Sequence, residues 1–558
     1  MSAPVLSAVP SVTSGAAPLA VFLDCTGTTG VTMHTGYWQH SFGDSGAGTW
    51  DNGANTSQSK NFATGIVAAH VYETPGTYYI TSLCGNSAGE YDVEVNTITV
   101  TAADTQWATT KTICVSTSGN FTGAPTGSTH VTQADGDAVT AVSDNIGSGD
   151  VRILFRGGET FTAATAIALN QATGYLGSFG TGDALITATG DGVSVSANNW
   201  RIVDLDISGY SGSGKAAVIA GGNISKLTVL RLNAHDAAAY GVSLDPSANT
   251  LSEIYVADSS FDNLSDTTNA YGMYIGGTQV ALIGNSIGSV TSHGIRIPKI
   301  NKGVVASNTI GTTGLNTLKL NAPDFGVASE YTQNVCISDN KFAGATASIN
   351  VEIGPQQTTN NERIRNVVVE RNWFTATGSA QQFAASLQAD LLTVRNNVVD
   401  LSNGKSDNNN GFSLIGSNST PASSNTAILN NTFYSSATGT NLTFVIVSGT
   451  AGTGNSVINN LGYAPLSTAP VMVSDSGAVA TKSNNTGNVG TLTTNPFSVA
   501  PTTPLTFVVT TASYAANGGT ALFPAQFTDF YVGFDKSGDK RIGANVQDGE
   551  AQRKNVAA

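Results

Sequence analysis

At 558 residues the chain exceeds what one ordinary hydrophobic core holds, so several domains or a solenoid are expected. Only 11% of residues are charged, the net charge is −14, and 40% apolar content arrives in short bursts among 62 glycines, unlike a long disordered acidic chain. The negative balance argues against sequence-independent binding to nucleic acid or anionic membranes, and no apolar run approaches the ~20 residues that span a bilayer.

The opening stretch Met1-Ser-Ala-Pro-Val-Leu6 has no basic segment followed by an apolar core, so no signal peptide is expected there. Residues 1–103 read as a separate all-β unit. Its apolar bursts (Val21–Leu23, Tyr78–Leu83, Val95–Val100) are spaced by turn residues, as in a sandwich. Trp38-x-x-x-Phe42-Gly-Asp44, His70-Val-Tyr72 and Pro75-Gly-Thr-Tyr78 resemble the PKD family of immunoglobulin-like domains, with a departure at Gln39-His-Ser41, where that family is one or two residues shorter. The resemblance implies a spacer or adhesion module, attachment and not catalysis. Cys25 and Cys84 fall on what should be the second and sixth strands, where facing sheets can be bridged, so a disulfide and two buried thiols are both open. Cys114 and Cys336 are expected to be buried, and no cysteine spacing suggests zinc.

Residues 104–162 change character. Ile113–Asn120 and Gly149–Phe161 resemble the opening segment of pectate-lyase-like β-helix proteins. Between them, Ala138, Val142 and Ile146 share one helical face, and a short helix there would cap the open end of a solenoid.

The solenoid itself is expected over 163–465. A short pattern of an apolar residue, two variable residues and a small polar one returns from Val203-Asp-Leu-Asp206 and Leu230-Arg-Leu-Asn233 through Val256-Ala-Asp-Ser259 and Leu282-Ile-Gly-Asn285 to Val457-Ile-Asn-Asn460, every 23–34 residues. Short alternating strands such as Gly272–Ile275, Gly294–Ile297 and Val351–Ile353 lie in phase with it. The fold class expected is therefore all-β: an immunoglobulin-like sandwich plus a right-handed single-stranded parallel β-helix with a capping helix, its Asn side chains bonding one another along the stack.

Side chains alternate in and out along a strand, so the middle residues of successive strands form an outward stripe: Ser243, Tyr274, Arg296, Lys319 and Glu352. Arg296, Lys319 and Glu352 are the candidate catalytic groups, suited to neutralising a uronate and moving a proton; the alternative is an ordinary surface ion-pair ladder. Glu330 and Asp324 are alternative acids that could pair with Glu352 for glycoside hydrolysis. Tyr240, Tyr271 and His293 form a second column beside Tyr274, a candidate sugar-binding platform, with Trp373 and Tyr331 expected to flank it.

Residues 466–558 are expected to close the helix and end in a tail. Phe527-Thr-Asp529 and Gly533–Ala544 resemble the closing segment of secreted β-helix families. Asp535-x-Ser537-x-Asp539 looks like the start of a calcium loop, but Val546 stands where a bidentate acid belongs, so calcium is a weak expectation and no other cofactor is implied. There is no phosphate-binding loop, zinc pattern or nucleophile elbow.

The resemblance over 105–545 implies proteins that act on carbohydrate: polysaccharide lyases, hydrolases, and phage tailspikes and depolymerases. With the immunoglobulin-like unit in front, it implies a virion-surface spike or decoration protein, its partners a host surface polysaccharide and phage capsid or tail proteins, assembled as a homo-oligomer, commonly a trimer. A purely structural decoration protein and a secreted polysaccharide lyase or hydrolase are the alternatives.

Overall fold

The computed structural model describes residues 2–485 apart from 51–57, 87, 267–269, 323–330, 348, 356–362, 377–380, 404–408, 415–421, 439–441, 449–450, 477–478 and 484, together with Leu492, 540–542 and 545–547. The calcium-like loop and most of the closing segment lie outside these.

Two sheets open the chain, antiparallel except where Ser14–Ala16 pairs parallel with Tyr91–Thr101. Val9–Pro10, Leu19–Asp24 and Val67–Tyr72 form a three-stranded sheet; Ser14–Ala16, Tyr91–Thr101, Gly76–Gly85, Tyr37–Ser41 and Phe62–Thr64 form a five-stranded one. Phe42, Asp44, His70 and Tyr72 converge between them. The Phe42 ring stacks on His70 at 4.7 Å, the Tyr72 hydroxyl donates to the Phe42 carbonyl at 2.9 Å, and His70 Nε2 meets Asp44 Oδ2 at 3.0 Å. Cys25 and Cys84 are buried free thiols, not a disulfide.

From Thr112–Ser116 to Val479–Ser483 the strands pair in parallel, each with its counterpart one coil on, as a right-handed parallel β-helix. Each full coil carries three strands. Sheet one holds the longest, such as Leu251–Ala257, Ile300–Ala306 and Arg363–Glu370; sheet two holds short ones, such as Ser286–Ile287 and Trp373–Thr375; sheet three holds Met273–Ile275, Ile295–Ile297, Leu318–Ala322 and Ile349–Pro355. Inside, Phe342, Phe374, Phe412, Phe433 and Phe444 succeed one another at 5.1–5.4 Å between centroids. The helix Ala138–Ser143, capped by Asp137 accepting from Val139 N and Thr140 N, buries Ala138, Ala141 and Val142 at the open end.

The corner between sheets one and two is where the repeat has its cause. A residue in the left-handed region (Ser307 φ 58°, Asp339 φ 59°, Arg371 φ 54°) turns the chain, and the next residue is a fully buried asparagine. Asn340 Nδ2 donates to Asn372 Oδ1 at 2.9 Å and to the Val305 carbonyl at 2.9 Å, while its own Oδ1 accepts from Asn308. The same bonds link Asn285, Asn308, Asn340, Asn372, Asn397, Asn431, Asn460 and Asn485. Each of these asparagine bends thus finds partners for amide and carbonyl groups that would otherwise be buried bare. The first two copies correct the sequence pattern by one residue. Leu205 and Leu232 take the buried position after the corner residues Asp204 and Arg231, and Asp206 and Asn233 face outward one place later.

The sandwich lies along the flank of the solenoid, against sheet one. Outward residues of that sheet are apolar: Tyr255, Ala281, Ile283, Val304, Cys336 and Val368 are buried in one cluster with the sandwich core. Gly65 fits against Cys336 so closely that a Cβ there would stand 2.5 Å from Sγ. Polar contacts rim this patch from the coil of Arg201, which donates to the Pro18 carbonyl at 2.8 Å, to that of Thr393, whose hydroxyl meets His34 Nδ1 at 3.0 Å. Lys302 pairs with Asp24 at 2.6 Å. Glu370, fully buried, accepts from Thr64 at 2.8 Å, Arg371 at 2.7 Å and Arg395 at 2.7 Å. Burial pushes its carboxyl up, but Arg371 and Arg395 more than offset this and hold it well below the usual carboxylate range.

Replacing Glu370 by Ala takes the carboxylate away from the buried Arg395 guanidinium, while Arg371 keeps Asp339 at 2.7 Å, so a loss of about 3 kcal/mol is expected in denaturant unfolding. Because the folded pKa is depressed, this contribution is fully present above the unfolded value of ~4.3 and declines only as pH falls below it towards the folded one. A loss under about 1 kcal/mol at pH 7 would contradict the account.

Candidate functional site

Sheet three places the outward stripe in register. Ser243 pairs with Tyr274, Tyr274 with Arg296, Arg296 with Lys319 and Lys319 with Glu352; the column continues to Ser386 and Ser413. Each strand is held by inward neighbours such as Ile295, Ile297, Leu318 and Leu320, all buried, which is why its middle side chain stands out. Bulky and charged groups therefore occupy the middle of a column whose neighbours downstream are serines.

Beside it runs the second column. Tyr240 lies 4.9 Å from Tyr271, and Tyr271 lies 5.2 Å from His293, measured between ring centroids. The Arg296 guanidinium lies 5.6 Å from the Tyr274 ring and 5.9 Å from the Tyr271 ring, and its Nη1 donates to the Tyr271 hydroxyl at 3.2 Å. Lys319 Nζ meets Glu352 Oε2 at 3.1 Å. The sequence-predicted residues Tyr240, Tyr271, Tyr274, His293, Arg296, Lys319 and Glu352 thus form one cluster. Tyr271 and His293 are more buried than a fully exposed platform requires, for each also fills the corner leading into sheet three.

His293 has one role settled by its neighbours. The Asn316 backbone N–H donates to Nδ1 at 3.2 Å, so Nδ1 carries the lone pair and, in the neutral ring, Nε2 carries the proton. Burial, reinforced by Lys319 and Arg296, lowers its pKa to about 3. The ring is a neutral hydrogen-bond donor at physiological pH.

Other expected members stand elsewhere. Trp373 belongs to sheet two, under Lys341 at 4.6 Å, and Tyr331 opens a sheet-one strand against Arg365 at 4.0 Å, so neither flanks the stripe. Asp324 and Glu330 lie outside the described residues. Among the described residues no group of His, Cys, Asp and Glu is arranged to hold a metal ion. One cluster escaped the sequence reading: on sheet two His235 bonds Asp236 through Nδ1 at 2.7 Å and Asp206 through Nε2 at 2.8 Å. Against partial burial, the two carboxylates raise its pKa. The outward pairing of Asp206 with Asn233, two residues from His235, was the available signal.

No family model matches the chain, and no curated protein matches it. Solved structures do. The family 28 exopolygalacturonase of Yersinia enterocolitica is 11% identical, with 86% of this chain and 100% of that one covered at a TM-score of 0.45. The A-module of the mannuronan C-5 epimerase of Azotobacter vinelandii is 14% identical over 66% of this chain and 99% of its own, at 0.41. The Dettilon tailspike protein is 12% identical over 65% and 68%, at 0.45. The likeness is one of fold.

Nitrogen-15 NMR of labelled protein is expected to show His293 as the neutral Nε2–H tautomer throughout pH 5–8. An imidazolium signal growing in between pH 7 and pH 5 would contradict the geometry.

Proposed function

We propose that this chain is an extracellular glycan-binding protein whose sheet-three stripe holds an acidic polysaccharide lying along the helix axis, carried on a phage particle as a spike or decoration protein. The observation that carries the reading is the register that sets Tyr274, Arg296, Lys319 and Glu352 on successive coils beside Tyr240, Tyr271 and His293. Coils about 4.8 Å apart offer consecutive sugar units a ring face, a cation and a hydrogen-bond donor in turn. Arg296 and Lys319 would face uronate carboxylates, and His293 would donate to a hydroxyl.

The same stripe is compatible with cleavage, with Arg296 neutralising the uronate, Lys319 as base and Glu352 as acid. Yet Lys319 is bonded to Glu352 at 3.1 Å, which engages the would-be base and acid with each other while leaving Lys319 further N–H donors for a carboxylate, so binding ahead of cleavage is the reading we favour. The virion assignment rests on the PKD-like sandwich. Since the flank beside its three-stranded sheet is taken up by the solenoid, attachment would use the outer face of the five-stranded sheet, where Tyr79, Val93 and Val95 are exposed. Trimeric assembly belongs to this reading as well.

Incubation with a panel of acidic and neutral bacterial polysaccharides tests it. Binding to an acidic polymer is expected to fall at least tenfold in the Arg296→Ala/Lys319→Ala double variant. Shortened chains absorbing near ~235 nm would mark β-elimination, and shortened chains without that absorbance hydrolysis. A folded protein that neither binds nor shortens any acidic polymer would remove the proposal.

A further inference from the structure

Away from the stripe, on the flank where sandwich and solenoid meet, a cleft of about 230 Å³ opens between the two units. Trp50 and Lys60 stand on one side, from the short hairpin Thr49–Trp50/Gln58–Ser59; Asp258, a corner residue of the solenoid, faces them; Asp44, His70 and Glu73 complete the rim. We propose that this cleft is a binding site for one uncharged sugar ring, a neutral hexose or N-acetylhexosamine.

The charge of the cleft favours a neutral ligand. Every ionic group of the rim already has its partner: Lys60 Nζ meets Asp258 Oδ2 at 2.7 Å, His70 meets Asp44 at 3.0 Å, and Glu73 pairs with Arg231. An anion or cation entering the cleft would have to compete with an existing pair. A ring of hydroxyls would not, because carboxylate oxygens have lone pairs left over for O–H donors.

Its shape favours a sugar ring. The Trp50 N–H is spent on Asp258 Oδ1 at 2.7 Å, which fixes the indole, and Ala69, Val71, Ala257 and Ile283 supply an apolar wall. An indole, an apolar wall and a rim of acceptors match the C–H face and hydroxyl edge of a pyranose. The volume is below the ~300–1,000 Å³ of pockets for drug-sized ligands, so the site takes one ring and not a chain.

The repeat is locally adapted at the cleft. The corner residue is polar with a side chain at Asp258, Ser307, Asp339 and Arg371, but glycine at Gly284, where φ is 67°. A Cβ at Gly284 would stand 2.2 Å from Trp50 Nε1 and 2.6 Å from Asp258 Oδ1. The coil has given up its corner side chain at the one place where the indole and its carboxylate must meet.

Saturation-transfer difference NMR on the full chain, with glucose, galactose and N-acetylglucosamine as probes and glucuronate as the acidic control, tests the assignment. Saturable transfer to at least one neutral sugar is expected, with affinity weakened at least tenfold by Ala257→Leu, which fills the cleft from the solenoid side. Ala47→Leu fills it from the half-buried loop of the sandwich and gives the same reading should the first variant fail to fold. No transfer to any neutral sugar, unchanged affinity in the filled variants, or preference for glucuronate would overturn the proposal. Neither filled position touches the sheet-three stripe, so loss of acidic polysaccharide binding there leaves this test unaffected.

Discussion

A solenoid strand that faces water on its outer side should be polar there, and over the middle of sheet one it is apolar instead. Tyr255, Ile283, Val304, Cys336 and Val368 must be taken out of water, and the sandwich is what covers them. That requirement orders the rest of the molecule. It places the N-terminal unit along the flank of the solenoid, draws Glu370 into burial between Arg371 and Arg395, and leaves sheet three with its columns as the face open to a long ligand. The interdomain cleft is a by-product of the same docking, lying where the sandwich hairpin reaches the corner at Asp258 and Gly284.

The solenoid can accept such a partner because its own polar accounts close internally. Corner asparagines bond forward to the next coil and back to the preceding one, so their buried amides need nothing from solvent or from the sandwich. Coil length then varies freely in the loops while the sheets stay in register, and residues far apart in sequence, such as Lys319 and Glu352, meet on adjacent rungs.

Much of this was legible in the sequence, for physical reasons. Period-two alternation set against a recurring asparagine fixes which side chains face out, and hence the stripe from Tyr274 to Glu352. The pattern slipped at Asp206 and Asn233 because leucine replaces asparagine at the first two buried bends, and the nearest polar residue then lies one place on and outside. Docking was missed although its signal was present: Ile254-Tyr-Val-Ala257, Val280-Ala-Leu-Ile283 and Val367-Val-Val369 are unbroken apolar runs, the mark of strands buried on both faces. The His235 cluster was missed because Asp206 comes from the preceding coil, and the slip at Asp206 and Asn233 hid their outward pairing.

Cys336 reports directly on whether the sandwich covers sheet one. It sits on the outer side of sheet one, covered by Gly65, Ile66 and Val67 of the sandwich, and burial pushes its thiol up to about 12. Native protein would be treated with iodoacetamide and the cysteine peptides followed by mass spectrometry, with unfolded protein as the reference for full reactivity. Docking as described predicts that Cys336 stays unmodified while the native fold persists, alongside Cys25 and Cys84. Rapid alkylation of Cys336 with Cys25 and Cys84 still protected would mean that the sandwich stands free of the solenoid, and would contradict it.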